Sequence, residues 1–159
     1  MMENVTRFKA ALAAVLAAMT ALWGWFGWLV LAWVGCMAVD YITGYGAAMK
    51  NGEWSSNIAR EGLWHKGGMI AVVIVAAIAD WVMVLIAQYI PIGIQWPGII
   101  MPLVLAWYII TELGSILENA VKMGANVPAW LVKLLKSSAN IVENAGGKVT
   151  EDDRSEPPD

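Results

Sequence analysis

Three carboxylates, Asp40, Asp80 and Glu112, stand inside or beside long apolar runs of this chain. A carboxylate withdrawn from water must turn to an interior, take a proton or find a partner. Asp80 is the deepest, near the middle of its run. It either lines a polar path or couples its protonation to the way helices pack. Asp40 is followed by Tyr41 and Thr43, which mark the inner end of a run and give it a simpler boundary role. Glu112, after Trp107 and Tyr108, is intermediate between the two. None of the three has a lysine or arginine within its own run, so a charge partner has to come from another segment. The sequence does not assign the pairing.

Other chemistry has little to stand on. His65 is the one histidine and Cys36 the one cysteine, which excludes an intrachain disulfide and a cysteine cage for a metal. His65 falls in a polar connection and reads as a surface or interfacial residue. Cys36 has apolar neighbours and reads as a packed thiol. The glycines form no GxxxxGK[ST] loop for phosphate, and the basic residues are too dispersed for nucleic acid. The expectation is a protein that is not an enzyme, with no cofactor, no metal and no nucleic-acid partner.

The elements that position the carboxylates follow from composition. Of 159 residues, 59% are hydrophobic and 14% charged, a balance that belongs in a bilayer. The long apolar runs lack the short alternation of barrel strands, so helices are the form in which the backbone satisfies itself in lipid. Residues 10–39 carry no charge until Asp40. As one helix they would measure about 45 Å against a hydrocarbon core of about 30 Å. Residues 21–30, ALWGWFGWLV, hold Gly24 and Gly27, where a break would make two spans instead.

Charge decides between these. The ten basic residues occupy three places: Arg7 and Lys9; Lys50, Arg60 and Lys66; and Lys122, Lys133, Lys136, Lys148 and Arg154. The connection at residues 88–96, QYIPIGIQW, has none. A hairpin at residues 21–30 puts every basic segment on the cytoplasmic side, as the positive-inside rule requires, whereas a single span would divide them. Trp23, Trp25, Trp28 and Trp96 then fall at the outer headgroup level, and Trp54 and Trp64 at the inner one, unless these rings pack in mid-membrane. The predicted fold is an all-α integral membrane protein of four transmembrane helices, at about residues 5–23, 25–46, 67–90 and 97–119. Both termini are then cytoplasmic.

The first predicted span carries Ala10, Ala14, Ala17, Ala18 and Ala21 at spacings of three and four. Such a stripe lets backbones approach closely, either in self-association or within one bundle. After Pro128, Trp130, Leu131, Leu134, Leu135, Ile141 and Val142 share a helical face. Residues 128–142 are therefore expected as an amphipathic helix, interfacial or docked on the bundle, and residues 143–159 as a disordered acidic tail.

Residues 40–48, DYITGYGAA, are followed by Gly52, Ser55, Ser56, Gly62, Leu63 and Lys66, then Asp80, Glu112, SILEN at residues 115–119, Gly124 and Pro128. This order, spread over residues 29–135, resembles the phage holin family that also contains clostridial toxin-secretion holins. Its most specific marks here are Asp40, Tyr41, Thr43, Gly44, Ser55, Ser56, Gly62, Lys66, Ser115, Glu118 and Asn119. Trp54 stands where leucine is usual, and Thr111 where asparagine often precedes the glutamate. The resemblance implies a multi-pass protein of the bacterial inner membrane that self-associates into timed lesions. Through them an endolysin, or a toxin, leaves the cytoplasm with no direct contact required.

Overall fold

The computed structural model describes residues 2–24, 26–90 and 95–151. Among these, every regular element is a helix: α1 (Met2–Trp23), α2 (Phe26–Asn51), α3 (Ser56–Tyr89), α4 (Ile100–Lys122) and α5 (Ala129–Glu151). The break between α1 and α2 falls at Gly24, whose φ of +54° suits a residue without a Cβ. The Gly27 amide donates back to the Gly24 carbonyl at 3.3 Å. The turn expected from the charge distribution is present, although Trp25 lies outside the described residues.

Among the described residues, three helices are long and apolar enough to cross a membrane: α2, α3 and α4.

Two boundaries differ from the sequence expectation. α3 begins at Ser56, so residues 56–66 are helical and not part of a connection. The cause is local: Ser55 is extended (φ −144°, ψ 153°) and its Oγ accepts from the Ile58 amide at 3.3 Å, an N-cap that starts the helix early. At 34 residues α3 is about 51 Å long and overshoots the bilayer core. At the other end of the chain, α5 runs to Glu151, so residues 143–151 continue the helix in place of the expected tail. The expectation of a tail at 152–159 lies outside the described residues.

α2 and α4 run side by side in the same direction. Trp33 stacks on Tyr108 (centroids 6.0 Å apart, planes at 21°), and further along Lys50 Nζ donates to the Met123 carbonyl. α3 runs opposite to both, packing mainly on α4; α1 packs on α2, and α5 on α4. Trp33 and Met37 of α2, Met69 and Val73 of α3, and Leu105 of α4 form the buried core.

The distribution of polarity is inverted relative to a water-soluble bundle. Ile70, Val72, Ile74, Val75, Ile78 and Trp81 of α3 are exposed, whereas Asp80, Glu112 and Asn119 are buried. An exposed apolar wall around buried carboxylates has lipid as its natural solvent.

Candidate functional site: a buried ion-pair network

Asp40 of α2, Lys66 of α3 and Glu112 of α4 converge where the three helices meet. Lys66 Nζ donates to Glu112 Oε2 at 2.7 Å, to Glu112 Oε1 at 2.9 Å and to Asp40 Oδ2 at 3.0 Å. The side chains of Lys66, Asp40 and Glu112 are 13%, 16% and 5% exposed. Asn119, about two turns further along the same face of α4, donates from Nδ2 to Asp40 Oδ1 at 3.1 Å and to Thr43 Oγ1 at 3.4 Å. Thr43 in turn donates to the Asp40 carbonyl at 3.1 Å. One ammonium thus serves two carboxylates, and the amide of Asn119 supplies the second donor that Asp40 needs.

Gly44 stands against this network. A Cβ at this position would lie 3.4 Å from Asn119 Nδ2, leaving no room for a larger side chain. Beside the network a cavity of about 300 Å³ opens between α2, α3 and α4. Tyr41, Gly44, Tyr45, Trp54, Gly62 and His65 are among its lining residues, with Tyr45 and Trp54 in edge-to-face contact at 6.1 Å.

Asp80 belongs to a separate arrangement. It lies 14 residues beyond Lys66 on α3, about 21 Å along the axis. Its carboxylate accepts from the Ile100 amide at 3.1 Å and the Met101 amide at 2.7 Å, and from Trp96 Nε1 at 2.8 Å. Ile99, the residue at the helix start, gives α4 no side-chain cap. Asp80 therefore acts as the cap from a neighbouring helix, satisfying otherwise orphaned amides and placing negative charge at the positive end of α4. The sequence did not point to these partners at the start of α4. Trp96, assigned from sequence to the headgroup level, is half-buried and tied to this cap.

The remaining singled-out residues are dispersed. Ser55 caps α3, Ser56 opens it, Ser115 is half-buried on α4, and Glu118 lines a second cavity between α4 and α5. Ala10, Ala14 and Ala17 are exposed on α1. The side chains of Ala18 and Ala21 lie outside the described residues. Among the described residues no group of three or more His, Cys, Asp or Glu side chains is placed to hold a metal.

Sequence reasoning missed the partner role of Lys66. The available signal was depth: Lys66 directly precedes an apolar run, where Asp40 directly follows one. Trp96 and the α4 amides as partners of Asp80 left no comparable mark.

The fold and network define an all-helical membrane protein whose charged groups are paired in its interior. The profile of the bacteriophage holin family matches residues 17–140, and the chain belongs to that family. It is a membrane-permeabilising, non-enzymatic class. A protein of Halalkalibacterium halodurans, uncharacterised, is 31% identical over 147 residues, covering 92% of this chain and all of its own length. Two Clostridium perfringens proteins are each 30% identical over 122 residues, or 72% of this chain. Both are uncharacterised: one is covered over 83% of its length, and the other, a 14.9 kDa protein from the 3′ region of nagH, over 85%. No solved structure matches the chain.

Proposed function

We propose that the protein is a phage-type holin. It crosses the bacterial inner membrane four times with both termini in the cytoplasm, self-associates there, and opens lesions at a set time so that an endolysin reaches the cell wall. Membership of the holin family across residues 17–140 carries this reading. The internal polarity supports it. In the single chain the few polar side chains of the membrane region face one another, so the outer surface is apolar and the protein accumulates without harm. A lesion needs a wet surface, and separation of α3 from α2 and α4 would turn Lys66, Asp40, Glu112 and Asn119 toward water. Their charge lowers the cost of a hydrated lumen that apolar helices could not line alone.

The test is culture turbidity after induction in a bacterium that also holds an endolysin lacking an export signal, with each protein expressed alone as a control. Abrupt lysis after a delay, only when both are present, is the expected outcome. Growth arrest and loss of membrane potential without enzyme release would replace this reading with a small ion-conducting protein. Release of a reporter toxin without lysis would assign the chain to toxin secretion.

A further inference from the structure

The apolar face of α5 is split between two neighbours. Leu131 and Leu135 are half-buried, and among the described helices α5 packs against α4 alone; Leu135 shares a cavity with Leu117 and Val121 of α4. Trp130, Leu134 and Ile141 are 66%, 53% and 68% exposed. Each docked leucine follows an exposed residue by one position, so the two stripes are about 100° apart around the helix axis. One stripe faces α4, and the other faces away from the protein altogether.

We propose that the stripe Trp130, Leu134 and Ile141 is inserted into the headgroup and upper acyl region of an anionic bilayer surface, while the neighbouring stripe holds α5 to α4. Three observations select lipid as the occupant. The bilayer is within reach, because α4 is long and apolar enough to cross a membrane and only residues 123–128 separate it from α5. Those six residues reach at most about 20 Å. The charge fits as well: residues 129–142 contain Lys133 and Lys136 and no acid, the arrangement that anionic headgroups attract and that lets aliphatic stems snorkel beside a buried stripe. Trp130 at the start of the stripe also presents an apolar ring with a polar edge, suited to that depth.

A second copy of α5 suits the stripe less well. Lys148 lies five turns beyond Trp130 on the same line, and Lys133 flanks it by about 60°, so pairing two stripes brings lysines together.

The experiment uses the full chain with Cys36→Ser, carrying a single labelled cysteine at Leu134, Ile141 or Asn140. The proteins are reconstituted in phosphatidylglycerol and phosphatidylethanolamine vesicles that contain spin-labelled lipid. Quenching at 134 and 141 is expected to exceed that at 140, on the polar face, by about threefold or more. Equal quenching at the three positions overturns the proposal. Weak quenching at 134, together with oxidative disulfide formation between two copies of the unlabelled 134-cysteine chain, overturns it in favour of self-pairing. Lys133→Glu combined with Lys136→Glu is expected to bring the 134-to-140 ratio toward one. An unchanged ratio overturns the assignment to anionic lipid.

Discussion

Lys66 Nζ on α3 and Glu112 Oε2 on α4 are 2.7 Å apart, and the same ammonium reaches Asp40 on α2 at 3.0 Å. Lys66→Met leaves two buried carboxylates without a counter-charge, whereas the native arrangement lacks compensation for only one negative charge. Removing one member of a buried pair costs about 3–5 kcal/mol, mostly as the penalty on the charge left behind. The Lys66→Met chain is expected to unfold at lower detergent denaturant than the native one. Lys66→Met with Glu112→Gln should recover part of that loss, because the second change removes one stranded charge. A double-mutant cycle measures the coupling, and additive losses would show that the contact contributes nothing.

Asp80 holds the first amides of α4, and substitutions there should act on that helix end. Asp80→Ala removes the acceptor of three donors, and is expected to destabilise the chain by about 1.5–3 kcal/mol. Asp80→Asn keeps one acceptor oxygen and should cost less. Amide hydrogen exchange followed by mass spectrometry reads this directly: Ile100 and Met101 should exchange faster in the alanine variant, with little change at Leu105. Unaltered exchange at residues 100–101 combined with lost ion flux would return Asp80 to a role in conduction.

The difference between these two carboxylates explains how much the sequence disclosed. The break at Gly24 was readable, because the basic residues and the length of the run constrain it independently. The alliance of Asp40, Lys66 and Glu112 was not, since it depends on the relative depth of three helices. Lys66 also fell in a segment read as a connection, because residues 56–66 are polar; the Ser55 cap makes them helical without any apolar periodicity to announce it. The partners of Asp80 include two backbone amides, and every residue but proline has one, so nothing in the side-chain pattern points to them. Residues 143–151 were read as tail from their polarity, yet they are helical even with Gly146 and Gly147, which cost a helix only about 2 kcal/mol in total relative to alanine. Family membership was legible because it rests on residue types in order, and needs no three-dimensional register.

Gly44 should tolerate only a small addition. Its Cβ would stand 3.4 Å from Asn119 Nδ2, an ordinary contact, so Gly44→Ala is expected to leave stability and lysis time close to native. Gly44→Leu has to displace Asn119 or push α2 from α4, with an overpacking cost of about 1–3 kcal/mol. It also removes the Asn119 donor from Asp40. A shifted lysis onset for leucine with a native onset for alanine is the expected pattern in the turbidity assay, and equal onsets would show that this helix contact does not govern timing.

Self-association should depend on α1. Ala10, Ala14 and Ala17 are exposed, and α1 packs against α2 alone among the described helices, so these three alanines are open to a neighbouring chain. Lipid tails are as apolar as leucine, and helices in a bilayer therefore associate where small residues allow close backbone approach. A single Ala14→Leu inserts a side chain into that contact without changing charge or hydropathy class. It is expected to reduce the higher rungs of a crosslinking ladder in membranes by several-fold, with Ala10→Leu adding to the effect and the fold of the single chain unchanged by circular dichroism. A ladder that survives both leucines would place the contact between copies elsewhere on the apolar surface, with the exposed wall of α3 from Ile70 to Trp81 as the next face to probe.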